Sequence, residues 1–194
     1  MFITLEGPEG AGKSTLATGL RDHLASLGKD VLLTREPGAG QVGKAIREIL
    51  LHGEELDAKA ELFLFLADRS QHIAKIVRPH LAKGGVVICD RYGDSTVVYQ
   101  GYGRGLSIEE LKKWNAFATG GLVPDLTFLL DLDAELGISR LKSKDRMDAQ
   151  PIEFHRKIRA GFLEEASLDA RRFRVLDASQ SPAEVLTHAI AALG

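Results

Sequence analysis

Nine consecutive residues, Gly7, Pro8, Glu9, Gly10, Ala11, Gly12, Lys13, Ser14 and Thr15, fit the pattern G-x-x-x-x-G-K-[ST] directly after the apolar run Phe2-Ile-Thr-Leu5. Glycines at that spacing let successive backbone N–H groups turn inward with no Cβ in the way, and the helix that follows adds the partial positive charge of its N-terminus. The chemistry is that of a phosphate cradle, with Lys13 reaching the outer phosphates and Ser14 holding a magnesium ion that bridges them. The spacing does not fit the G-x-G-x-x-G of dinucleotide sites, so the implied ligand is a nucleoside triphosphate, ATP above all.

A second set of residues points to an acceptor. Val86-Val-Ile-Cys-Asp90-Arg91-Tyr92 reads as a buried strand ending in an acid and a base; a carboxylate beside a phosphate loop touches the magnesium or its water shell. This makes Asp90, through water, the partner of Ser14 as metal candidate. Phe65 and Arg69 stand four residues apart, on one helix face. An aromatic plane beside a guanidinium suits a stacked base whose polar edge or phosphate is held. Arg47, Arg69, Arg91, Arg140 and Arg146 form a basic set separate from the cradle. Two phosphates brought together repel by about 4 kcal/mol per pair of unit charges ~4 Å apart at an effective dielectric near 20. Arginine offsets this with a permanent charge and bidentate geometry. With no Ser-His-Asp or Cys-His set evident, positioning and electrostatics must carry the rate of a phosphoryl transfer.

The elements that position these groups follow from periodicity. Leu16, Leu20, Leu24 and Leu27 have helical spacing ended by Gly28. Val31-Leu-Leu-Thr34 predicts a strand whose carboxyl end, Arg35-Glu-Pro-Gly38, is a turn of the kind that holds ligands in open α/β sheets. A helix is expected over 41–51 with Val42, Ile46, Ile49 and Leu50 inward, then a long helix from Asp57 towards Leu81. Residues 93–105 mix glycines with Ser95, Thr96, Tyr99, Gln100, Tyr102 and Arg104, and read as too polar for core. Ser107 with Glu110 predicts a capping box opening a helix to about Thr119, on which Trp114 is packing. Strands are expected at 126–132 and 174–177, with helices at 134–141, 152–170 and 182–193. The stretch 139–148, rich in Arg, Lys and Asp and including Lys142 and Lys144, reads as a solvated loop and a candidate lid over bound phosphates. Short apolar strands alternating with helices predict a parallel sheet covered on both faces.

Composition limits the alternatives. With 194 residues, 44% hydrophobic, the chain suits one α/β domain over 1–194, its lid at about 139–151. A net charge of -2 argues against a grip on a nucleic acid polymer. The lone Cys89 is read as core, and the absence of a signal-like start or a ~18-residue apolar run predicts a cytoplasmic protein with no membrane contact. Asp90-Arg-Tyr-Gly93 formally fits the D-x-x-G of GTP-dependent switches, though no N-K-x-D-like base reader accompanies it.

Taken together, Phe2-Ile-Thr-Leu-Glu-Gly7, Thr34-Arg-Glu-Pro-Gly38, Leu64-Phe-Leu-Ala-Asp-Arg69-Ser-Gln-His72, Asp90-Arg-Tyr-Gly-Asp-Ser95, Tyr99-Gln-Gly-Tyr-Gly-Arg-Gly105 and Asp145-Arg146 resemble the bacterial thymidylate kinases over nearly the whole length. The resemblance implies a P-loop three-layer α/β/α fold with sheet order 2-3-1-4-5, transfer of the γ-phosphate of ATP to dTMP, and a homodimer formed by helix packing. It further implies that Phe65 stacks on thymine, that Arg69 holds the base edge, and that Glu36, Pro37, Arg47 and Arg91 surround the monophosphate. Ser95, Thr96 and Gln100 then fall among the polar positions near the base, Tyr99 excludes a ribose 2′-hydroxyl, and Glu9 approaches the acceptor sugar. Gly10 stands where one branch of the family carries an arginine, so the compensating charge is expected from Arg140 or Arg146 in a short lid, in which Asp148 replaces an expected Glu. Kinases of the same build acting on dUMP or UMP remain the near alternative.

Overall fold

The computed structural model describes residues 1–141, 143 and 145–193; Lys142 and Lys144 of the expected lid lie outside them. In chain order the elements are β1 (Phe2–Glu6), α1 (Lys13–Ser26), β2 (Val31–Arg35), α2 (Gly40–His52), α3 (Ala58–His72), a π-helical stretch (Ile73–Val77), α4 (Arg78–Leu81), β3 (Val86–Asp90) and α5 (Gly93–Thr96). A second π stretch (Val97–Gly103), α6 (Ile108–Thr119), β4 (Leu126–Asp131), α7 (Ala134–Ser139), α8 (Ile152–Leu168), β5 (Phe173–Asp177) and α9 (Pro182–Ala191) complete them. The five strands are all parallel in the order β2-β3-β1-β4-β5, the expected sheet. β1 is buried along its whole length, as a central parallel strand with both faces covered must be.

Alternate strand residues feed two layers. Ile3, Leu5, Ile88, Phe128 and Leu130 pack with Leu16, Leu20 and Leu24 of α1 and Val185 and Ala189 of α9. Phe2, Val87 and Cys89 face Ile73 and Val77 on the other side, and Leu129 meets Ile158 and Phe162 of α8.

Five expectations are corrected. α2 buries Ile46 and Leu50 but leaves Val42 and Ile49 about half exposed, at 48% and 47%. The helix turns Gly43 inward instead, against Gly38 and Asp68, where a Cβ would lie 2.5 Å from Asp68 Oδ1. The long helix after Asp57 is interrupted by the π stretch at Ile73–Val77. Residues 93–103 are helical and largely buried rather than a polar loop, because each polar side chain finds a partner. Finally, Met147 and Asp148 of the charged stretch are buried, Met147 among Leu50, Leu51, Tyr99 and Phe154. Ser107 does cap α6 by accepting from Glu110 N–H at 3.4 Å, but the reciprocal box forms at Ser181–Glu184 on α9.

Candidate active site

The phosphate loop joins β1 to α1. Gly7, Gly10 and Gly12 all have positive φ (142°, 69° and 90°), conformations that admit the inward turn only without a Cβ. At Gly10 a Cβ would also strike the carbonyl oxygen of Gly137 in α7. An arginine at residue 10 is therefore incompatible with this packing. Lys13 Nζ, buried, donates to the carbonyls of Gly7 and Pro8 at 3.0 and 2.8 Å. Burial, with Arg91 close by, pushes the ammonium down to about 8, against the partial support of Glu9, Asp90 and Glu6. Ser14 Oγ lies 2.7 Å from Asp90 Oδ2 at the loop's mouth. A hydroxyl and a carboxylate, oxygen donors only, suit a hard cation such as magnesium. A cleft at the loop gathers Lys13, Ser14, Thr15 and Asp90 with Arg35, Glu36, Arg47 and Arg91.

A second cleft opens on the other side of Glu9. Its lining includes all ten residues expected around the acceptor: Glu36, Pro37, Arg47, Phe65, Arg69, Arg91, Ser95, Thr96, Tyr99 and Gln100. The two clefts share Glu9, Glu36, Arg47 and Arg91 as lining, so they adjoin as two halves of one trough with these side chains between them.

Arg91 stands at their junction. Its backbone has φ 70°, rare for a side-chain-bearing residue, and its N–H donates to Leu5 O at 2.9 Å. The guanidinium donates to Glu9 Oε1 (2.6 Å), Ser95 Oγ (3.2 Å) and Gly7 O (3.2 Å) and lies over the Tyr99 ring, 5.0 Å from its centroid. Tyr99 O–H adds a 2.6 Å bond to the same Glu9 oxygen. Burial works against the Glu9 carboxylate, but Arg91 and Lys13 more than reverse this and hold it at about 2. Glu9 is thus an anion throughout the neutral range. Ser95 is fully engaged, donating at 2.5 Å to Glu6 Oε2 while accepting from Arg91.

Arg69 is 2% exposed and donates to Glu36 Oε2, Thr96 Oγ1, Asn115 Oδ1 and the Tyr92 carbonyl at 2.6–2.9 Å. Glu36 in turn bonds His72 Nδ1 (2.7 Å), whose Nε2 meets Thr34 Oγ1 (2.8 Å). Glu36, His72 and Cys89 bring potential ligand atoms within 4.8 Å, yet Arg69 and Thr34 already engage the carboxylate and imidazole. Burial raises the Cys89 thiol well above its ordinary value, consistent with packing.

Neither expected lid arginine lies at the junction. Arg140 Nη1 donates to Ala178 O at 3.1 Å and lines a third cavity with Gly10, Ala11 and Gly12, on the outer side of the loop. Gln180, whose buried Oε1 has no partner among the described residues, lines the same cavity. Arg146 is turned to Leu50 O (2.9 Å) and Glu61 Oε2 (2.6 Å). Sequence reasoning missed Leu51, Asp145 and Met147 in the second cleft and Arg35 in the first. Arg35 sits inside a quoted motif and was legible as more than a turn residue. The contact of Asn115 with Arg69 depends on how α6 packs on α3, which no local pattern encodes.

Residues 5–190 match the family model described as thymidylate kinase. A thymidylate kinase of Synechococcus sp. (strain JA-2-3B'a(2-13)) is 49% identical, the match covering 95% of this chain and 90% of the relative. One from Nitratidesulfovibrio vulgaris (strain DP4) is 48% identical over 100% of this chain and 94% of its own. Among solved structures, the thymidylate kinase of Ehrlichia chaffeensis superposes with a TM-score of 0.86 at 32% identity, covering 100% of this chain and 98% of that one.

Proposed function

The chain belongs to the thymidylate kinase family, and from that premise we propose that it transfers the γ-phosphoryl group of ATP to dTMP, giving dTDP and ADP. The observation that carries the reading is the pair of adjoining clefts, with Lys13 in one half, Phe65, Arg69 and Gln100 in the other, and Glu9, Arg47 and Arg91 common to both. The donor's phosphates lie in the loop over Lys13, and its base enters the third cavity between Arg140 and Gln180. Arg140 is then the lid arginine that serves the donor, while Arg146 stays on Glu61. The acceptor's ring lies on Phe65, its phosphate among Arg47 and Arg91. Ser14, and Asp90 through water, would hold the magnesium ion that accompanies ATP, which would supply charge neutralisation at the phosphates. The protein's own part is to offset phosphate–phosphate repulsion with Lys13, Arg91, Arg47 and Arg35 and to align the two reactants. Arg91, braced by Glu9 and Ser95, keeps one orientation as charge shifts. Tyr99, fixed on Glu9, closes the space a ribose 2′-hydroxyl would need.

Residues 139–151 act as a short lid on a single kinase domain. The proposal includes a cytoplasmic site of action; among the described residues no helix is long and apolar enough to cross a membrane. It also includes a homodimer, formed through apolar side chains that α2, α3 and α6 leave exposed: Val42, Ile49, Phe63, Trp114 and Phe117.

The test is phosphate transfer from ATP and magnesium to dTMP, dUMP, UMP and AMP compared side by side. dTMP should be the best acceptor, with dUMP lower by roughly 10- to 200-fold for its missing methyl. UMP or AMP matching dTMP would overturn the assignment.

A further inference from the structure

Gln100 lines the acceptor cleft, yet its amide is not free to turn. Its Nε2 donates to Glu61 Oε1 at 2.9 Å. Glu61, on the first turn of α3, is 1% exposed and lines none of the clefts described above. Its other oxygen takes Arg146 Nη2 at 2.6 Å, and Arg104 Nε stands 3.5 Å from the first. A carboxylate paired with two guanidinium groups can only accept hydrogen bonds. Reversing the Gln100 amide would set oxygen against oxygen inside the protein, leaving both groups unsatisfied. The nitrogen is therefore committed to Glu61, and the amide oxygen is the atom left for a ligand. Arg69 offers the complement: among the described residues four of its five N–H groups are engaged by protein, and one donor has no such partner. A cleft that presents one donor and one acceptor matches the carbonyl and adjacent ring N–H of a thymine or uracil edge. A cytosine edge has the opposite polarity.

We propose that Glu61 is a positioning residue for acceptor recognition: by holding the Gln100 nitrogen it sets the polarity of the base-reading edge. Because the same carboxylate holds Arg146, the segment that contributes Asp145 and Met147 to the cleft shares its anchor with the base reader. The inference rests on the acceptor reading proposed above. Its test compares dTMP with 3-deaza-dTMP, in which the ring N3–H becomes C–H, as acceptors for the wild type and for Glu61→Gln, with ATP and magnesium.

In the wild type, loss of N3–H should lower kcat/KM about tenfold, the worth of one well-made hydrogen bond. In Glu61→Gln, KM for dTMP should rise about tenfold and KM for ATP should stay within about twofold, because the donor's half of the trough is untouched. The N3–H penalty should shrink to within about twofold, since Gln100 can now turn over. A purely structural role for Glu61 would lower both acceptors together and leave the penalty at its wild-type value, which would overturn the proposal. So would a wild type indifferent to N3–H. Should Glu61→Gln not fold, Glu61→Asp carries the same comparison, keeping the charge but falling one methylene short of Gln100. A wild type that does not phosphorylate dTMP at all would instead sink the acceptor reading itself, so the two failures are distinguishable.

Discussion

Lys13 enters the reaction already desolvated. Without a phosphate to bind, its ammonium rests on the carbonyls of Gly7 and Pro8, and burial beside Arg91 pushes it down to about 8. Because kcat/KM reports the free enzyme's ionisations, kcat/KM for ATP should fall as pH rises above about 8. Bound phosphate raises the lysine again by supplying negative charge, so kcat should hold to higher pH; a parallel fall of both would contradict this role. The same shift has a consequence for stability. Between about 8 and the ordinary 10.5 the unfolded chain keeps a proton that the folded one has lost, so stability rises with pH across that window. Lys13→Ala removes this slope in a pH series of melts, keeps the fold, and lowers transfer by at least roughly 10²-fold, the usual loss of a group that stabilises transition-state charge.

At the scale of elements, α7 and the phosphate loop meet backbone to backbone. Gly10 and Gly137 each face the other segment's main chain so closely that a Cβ on either would collide with a carbonyl oxygen. Gly137→Ala should therefore displace α7 from the loop, costing about 1–3 kcal/mol of stability as overpacking does. KM for ATP should rise several-fold more than KM for dTMP if the loop and Arg140 serve the donor as proposed; equal changes in the two would show that the contact is only packing. The segment 93–103 shows a different dependence on context. Taken alone, its serine, threonine, tyrosine and glutamine side chains resist burial. In the fold Ser95 meets Glu6, Thr96 meets Arg69, Tyr99 meets Glu9 and Gln100 meets Glu61, and each partner lies more than 25 residues away in the chain.

At the scale of the molecule, apolar groups left outside the core are concentrated on helices. Phe117 is 90% exposed, Phe63 59%, and the Phe63 and Trp114 rings already contact one another at 6.1 Å. Side chains of this size left in water on two neighbouring helices, α3 and α6, are what a second copy of the chain would cover. On the proposed homodimer, Phe117→Glu should shift the sedimenting species from dimer to monomer without altering its circular dichroism; an unchanged mass would move the surface elsewhere, and a monomeric wild type would overturn the dimer. The trough itself is built within one chain, from the carboxyl ends of β1, β2 and β3 together with α2, α3 and the helical segment after β3, the position expected for ligands in an open parallel sheet.

The sequence by itself determined the sheet, its strands and the phosphate loop, because short buried runs and glycine positions are local properties that a parallel α/β fold reads directly. It also named ten of the residues that line the second cleft, Phe65, Arg69, Arg91 and Gln100 among them, since these stand in motifs with fixed spacing, but not Leu51, Asp145 or Met147. Only the tertiary structure decided which way α2 faces, how Ser95 to Gln100 become buried, and that Arg146 answers to Glu61 while Arg140 borders the loop's outer cavity. Those outcomes turn on charge and hydrogen-bond partners brought together from distant parts of the chain. A residue's own neighbours in sequence say which groups it carries; they do not say which opposite charge will be waiting when the helices close.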